Sequence, residues 1–184
     1  MFLLRHGQSY FNLHFTNTRQ DPGIEDPELT SLGHEQAQDA ATALADTPIT
    51  RIIISPYTRA LQTAAPFLNR QGLEIEIMAE VRERTAFICD IGSPPAQLAA
   101  RFPHHEFDHL PPCWWGEGVE DEATVIARAQ AFQALMRTRA DEATTLLVSH
   151  WGFILALTGR SVANGGWMTF NPATPAPTQI VWRP

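Results

Sequence analysis

The stretch Thr50-Arg51-Ile52-Ile53-Ile54-Ser55-Pro56-Tyr57-Thr58-Arg59-Ala60-Leu61-Gln62-Thr63-Ala64 decides how the rest of the chain is read. Arg51–Ile54 is a short β-branched run with no polar face, the pattern of a strand buried on both sides of a sheet. Ser55-Pro56 stops it, and Ser55 as N-cap with Pro56 at the first helical position predicts a helix running to about Asn69. A buried strand passing directly into a helix is half of a βαβ unit. Two more such strands flank it in sequence: Met1–Leu4, ending on Arg5-His6-Gly7, and Thr144–Ser149, ending on His150 and followed by an apolar helix over Phe153–Leu157. Leu73–Met78 alternates apolar and acidic residues as a short or edge strand would. Thr30 or Ser31 caps a helix carrying Ala37, Ala40, Ala41, Leu44 and Ala45 on one face. Glu122–Arg139 carries Val125, Ala129, Phe132 and Leu135 as an apolar stripe. In the proline-rich tail, pairing is expected only near Thr178–Trp182. Strands alternating with helices imply an α/β fold, a three-layer α/β/α sandwich on a mostly parallel sheet.

The 184 residues fit one domain, 1–184. Within it, about 84–122 has a different texture, with Gly92, Pro94, Pro95, Pro103, Pro111, Pro112, Trp114 and Trp115 and little periodicity, and is expected to form a cap-like insertion over a site. Phe87, His105, Phe107, Trp114 and Trp115 in this stretch could stack on a bound ring or merely cover the core. No apolar run approaches the length of a bilayer span. The opening Met1–Arg5 is too short an apolar stretch for a signal peptide, so a cytoplasmic protein with two reduced thiols, Cys89 and Cys113, is expected. A net charge of -7 argues against nucleic acid or an acidic membrane as partner. All 13 long cations are arginines. That absence of lysine fits bidentate grip on anions, and equally a GC-rich genome.

In parallel sheets, ligands bind beyond the carboxyl ends of the strands. Arg5, His6, Arg59 and His150 all fall at or just past predicted strand ends. Two arginines and two histidines converging on one crevice need a counter-charge, and a phosphate group supplies it. Phosphate-binding glycine loops, H-E-x-x-H and the G-x-S-x-G elbow are all absent. His104-His105-Glu106-Phe107-Asp108-His109 matches no standard metal spacing and reads as a solvated polar loop. No metal and no cofactor is expected.

Four blocks, in order, resemble the histidine phosphatases, the phosphoglycerate mutase-like superfamily. Arg5-His6-Gly7-Gln8-Ser9-Tyr10-Phe11-Asn12 is similar to R-H-G-x-[ST]-x-x-N. Leu29-Thr30-Ser31-Leu32-Gly33-His34-Glu35-Gln36-Ala37 is similar to L-T-x-x-G-x-x-Q-A, and Ser55–Ala64 to S-P-x-x-R-A-x-Q-T-A. Ser149-His150-Trp151-Gly152-Phe153 falls where a second catalytic histidine stands in that family. The resemblance implies that His6 takes the phosphoryl group covalently, with Arg5, Arg59 and His150 on the non-bridging oxygens and Asn12 and the backbone at Gly152 assisting. It implies a general acid near Val81-Arg82-Glu83, where Glu83 aligns better than Glu80. Cys89–Pro94, the aromatic residues downstream and Gln8 lean toward the fungal and plant phosphatase branch. The expected activity is hydrolysis of a small phosphate ester or a phosphoprotein. Phosphoglycerate mutase-type transfer, suggested by Glu83-Arg84, and an inactive phosphate-binding module are the alternatives.

Overall fold

A computed structural model describes residues 1–182. Five strands form one sheet in the order β3-β2-β4-β1-β5. They are β1 (Phe2–Arg5), β2 (Arg51–Ile54), β3 (Glu74–Ile77), β4 (Thr145–Ser149) and β5 (Trp167–Thr169). The three pairings from β3 through β1 are parallel, and β5 runs antiparallel, against β1. Helices α1 (Tyr10–Thr18), α2 (Ser31–Ala43), α3 (Thr58–Ala64), α4 (Pro95–Arg101), α5 (Glu122–Thr138) and α6 (Trp151–Thr158) complete the chain. No helix among the described residues is long and apolar enough to cross a membrane.

The two-residue period of the strands sorts the core into two layers. Leu4, Ile52, Ile54, Leu146 and Val148 face α2, α3 and α4, packing on Ala40, Leu44, Leu61 and Leu98. Leu3, Ile53 and Leu147 face α5 and α6, packing on Val125, Phe132, Phe153 and Leu157. The expected α/β/α sandwich is therefore the fold. Thr30 caps α2 through Gly33 N–H, and β3 lies at a sheet edge, both as read from the sequence.

Three expectations need correction. Pairing near the C-terminus is made by Trp167–Thr169, whereas 178–182 forms no strand. The helix after β2 begins at Thr58 and gives way to a 3-10 turn over Ala65–Phe67, so it is shorter than the sequence suggested. Ser55 does not cap it. The Thr58 amide is instead received by the Asp26 carboxylate at 2.9 Å, and Ser55 Oγ turns 2.7 Å to His150 Nε2.

The segment 84–122 divides in two. Leu98, Phe107, Leu110 and Trp114 are buried in the same core layer as α2 and α3, while Arg84, Ala86, Phe87, Cys89 and Asp90 border the cavity described next.

Candidate active site

At the carboxyl end of the parallel strands lies a cavity of about 600 Å³ whose lining includes Arg5, His6, Asn12, Arg59, Glu83 and Gly152. His150 is fully buried behind it, its ring centroid 5.1 Å from that of His6. Four of the predicted strand-end residues thus do converge, because β1, β2 and β4 are adjacent and parallel.

The loop after β1 is held by its neighbours' backbones. Gly7 and Gly33 approach so closely that a Cβ on either would collide with the other segment's carbonyl region, which accounts for glycine in both blocks. Gln36 Oε1 accepts the Gln8 amide at 2.8 Å, and Thr63 Oγ1 accepts that of Gly7 at 3.0 Å. Polar residues of the second and third blocks, Gln36 and Thr63, are therefore struts for this loop.

That loop fixes the chemistry of His6. Its Nδ1 lies 2.7 Å from the Gly7 carbonyl. A carbonyl only accepts, so Nδ1 carries the proton and Nε2 keeps its lone pair. Burial, then the charges of Arg59 and Arg5, push the imidazole well below its ordinary pKa, against the pull of the Gly7 bond. The ring is neutral and nucleophilic at physiological pH.

Around it stand donors without acceptors. Arg5 gives one NH to the Val162 carbonyl at 2.9 Å, while its buried Nε has no partner among the described residues. Burial lowers Arg5 to about 10, with Glu83 opposing and Arg59 reinforcing, and it stays charged at neutral pH. His150 is likewise held neutral by burial and by Arg59, His6 and Arg5, and its buried Nδ1 has no partner. The Ser55 hydroxyl can donate to or accept from Nε2; in the tautomer where it donates, Nδ1 carries a proton toward an anion. Arg59 lies 4.1 Å over the Tyr57 ring, bonds the Cys89 carbonyl at 2.9 Å and pairs with Asp90 Oδ1 at 3.2 Å. Burial alone would lower Arg59, but the negative groups around it, Asp90 among them, outweigh that and raise it.

Glu83 lines the cavity, and Glu80 is exposed on the 3-10 turn outside it, bonded only through its backbone carbonyl to Arg128. The Glu83 carboxylate accepts the amides of Arg84 at 2.8 Å and Gly152 at 3.2 Å. Burial and the nearby Asp90 charge raise its pKa against those two bonds and Arg59. Its loop is clamped from below by Arg128, which bonds the carbonyls of Glu80, Arg82 and Glu83 and pairs with buried Glu120 at 2.6 Å.

One expected contact differs. The Gly152 amide faces Glu83, so it orients that carboxylate and does not point at an anion. Asn12 lines the cavity, and its Oδ1 accepts the Ser9 amide in a capping box and the Asn164 amide at 3.1 Å, which fixes its side chain there. Asp90, Asn164 and Arg128 were not singled out as site residues by the sequence, and Ser55 was read only as an N-cap before Pro56.

Gly152 offers a test. A methyl group there would overlap Glu83 Oε1, so Gly152→Ala is expected to displace the carboxylate. A misplacement of about 1 Å costs on the order of 10²-fold, to be read as kcat/KM on an alkyl phosphate at unchanged melting temperature. A variant within twofold of wild type would show that Glu83 tolerates the shift.

Among the described residues no group of three or more His, Cys, Asp or Glu side chains is arranged to hold a metal ion. His109 Nε2 instead lies 2.8 Å from the Ile77 carbonyl, closing the chain over the β3 edge.

Comparison with known proteins agrees with this geometry. A family model for the histidine phosphatase superfamily (branch 1) matches residues 1–179. The chain belongs to that superfamily, in branch 1. It is 31% identical over 173 residues to glucosyl-3-phosphoglycerate phosphatase of Mycolicibacterium vanbaalenii, covering 86% of this chain and 72% of that one. Among solved structures, mycobacterial hydrolase 1 superposes with a TM-score of 0.63 at 27% identity, over 91% of this chain and 88% of that one. A mycobacterial glucosyl-3-phosphoglycerate phosphatase in complex with VO3 gives the same TM-score and coverage at 25% identity. These relatives are bacterial, and they correct the leaning toward a fungal and plant branch, which rested on loop residues that vary freely. The chain is a homologue of metal-independent phosphomonoesterases.

Proposed function

We propose that the protein hydrolyses a small phosphate monoester through a covalent phosphohistidine on His6. The observation that carries this is the His6 tautomer: Nδ1 is committed to the Gly7 carbonyl, leaving Nε2 free beside a cavity lined by Arg5 and Arg59, with His150 buried behind it. Nε2 attacks phosphorus in line while the two guanidinium groups and the His150 Nδ1–H oppose charge growing on the equatorial oxygens. Glu83, whose pKa is raised by burial and by the Asp90 charge, gives its proton to the leaving oxygen. It then takes one from the water that attacks the phosphohistidine. The relatives' substrate, glucosyl-3-phosphoglycerate, is one candidate ester, and the cytoplasm is the compartment the reduced thiols suit.

The scheme fixes the pH profile. Activity requires neutral His6, lost as pH falls through its depressed pKa, and protonated Glu83, lost as pH rises through its elevated one. The kcat/KM curve is expected to be a bell between those two pKa values, after correction for the substrate phosphate's second ionisation at about 6. Glu83→Gln should remove the alkaline limb and slow alkyl esters far more than activated aryl phosphates. Equal slowing of both would remove Glu83 from the role of acid. Isomerisation of 3-phosphoglycerate without release of phosphate would replace hydrolysis by mutase chemistry.

A further inference from the structure

The cavity is several times larger than a phosphate group, and five aromatic side chains share its walls with Thr16, Ser161 and Asn164. On one side Phe11 and Phe15 of α1 stack at 5.1 Å, and Phe87 meets them at 5.3 and 5.1 Å. On the other, Trp151 packs against Trp182 at 5.8 Å. Each wall is extended by a guanidinium plane: Arg19 lies 5.8 Å from the Phe15 centroid and Arg84 4.6 Å from that of Trp182. Phe87 is 41% exposed, although other large side chains of the same segment, Phe107 and Trp114, are buried. Large apolar surface held open in a concave site next to reactive groups is the mark of a ligand-covering surface.

These walls are in register with the reactive end. The Ala86 and Phe87 amides both donate to Asp90 Oδ2 at 3.0 Å, while Asp90 Oδ1 holds Arg59. One carboxylate thus fixes both an arginine of the floor and a ring of the wall. Helix α1, carrying Phe11 and Phe15, starts four residues past His6, and Trp151 directly follows His150. The two acidic residues lining the cavity, Glu83 and Asp90, are both engaged at the floor, so the outer part has no carboxylate.

We propose that the alcohol released from the phosphate carries a flat aromatic or heteroaromatic ring on a short arm, lying between these walls. Ring faces and guanidinium planes stack on such a group, whereas a polyol would leave its hydroxyls against apolar surface. This inference rests on the phosphomonoesterase reading above. The ring itself does not react. The ester P–O bond breaks as the His6 Nε2–P bond forms, the alcohol leaves with the Glu83 proton, and water then cleaves the N–P bond to give inorganic phosphate and restore that proton.

The test compares benzyl phosphate with glycerol phosphate and 3-phosphoglycerate. All three release alkoxides of similar basicity, so ratios of kcat/KM report the ring and not the leaving group. Benzyl phosphate is expected to lead by about fivefold or more, in line with a stacking contribution of roughly 1 kcal/mol. Phe87→Ala, at an exposed position, should pull that ratio toward unity with little change in melting temperature. A preference for glycerol phosphate or 3-phosphoglycerate would overturn the proposal and assign Arg19 and Arg84 to a hydrophilic or carboxylate-bearing substrate. So would a ratio unmoved by both Phe87→Ala and Phe15→Ala. If none of the esters is cleaved and no acid-labile phosphoenzyme forms, the phosphatase reading itself fails. Hydrolysis without ring preference removes only the present inference.

Discussion

His6→Ala is expected to lower phosphate release by roughly 10⁵-fold, since removing a covalent nucleophile eliminates the two-step route. The same variant should trap no acid-labile, base-stable label from a radioactive phosphate ester, whereas the wild-type protein should. Folding ought to survive. The lost bond to the Gly7 carbonyl is one of many holding this loop, which Gln36 and Thr63 also anchor. A folded variant with activity near wild type would take the phosphoryl acceptor away from His6 and with it the proposed mechanism.

The second large effect concerns Asp90. Its side chain and that of Arg59 are 2% and 3% exposed, so their ion pair is desolvated on both sides. Removing one partner of such a pair costs about 3–5 kcal/mol, because the other charge stays buried without compensation. Asp90→Ala also strips the Ala86 and Phe87 amides of their acceptor. For a domain of this size the melting temperature should fall by on the order of 10 °C, with activity lost alongside as Arg59 swings free. Asp90→Asn keeps an acceptor oxygen and should be milder. A shift of only a degree or two in Asp90→Ala would mean that the Cys89 carbonyl and the Tyr57 ring hold Arg59 by themselves.

How much of this was legible in the sequence follows from the range over which each signal acts. Ile52, Ile53 and Ile54 announce a buried strand locally, and so do Leu146, Leu147 and Val148, so the central sheet and its strand ends could be read directly. Four reactive residues at those ends followed from topology. The departures are all long-range. Ser55 has every local mark of an N-cap, yet its hydroxyl is taken by His150, 95 residues away, and Asp26, 32 residues upstream of Thr58, caps the helix instead. Strand β5 has only three residues after a double glycine and leans on β1 from across the chain. Helix α1, rich in Asn and Thr with mostly exposed positions, presents too weak an apolar face to be recognised by period. Glu83 was found through its motif, but what holds it, Arg128 from α5 and the Gly152 amide, carries no mark in the sequence near it.

The sheet has two unlike ends. At the amino end of β2, Arg51 is ringed by Glu74, Glu76 and Asp141, so every charge there is answered within the protein. At the carboxyl end, Arg5 Nε and His150 Nδ1 are buried with no acceptor among the described residues. Burying these donors without a protein acceptor carries a desolvation debit. An oxyanion entering the cavity relieves that debit, so the ligand completes the protein's internal bonding as much as the protein binds the ligand. The same donors that make the empty fold less stable than it might be are those already aimed when a phosphate arrives.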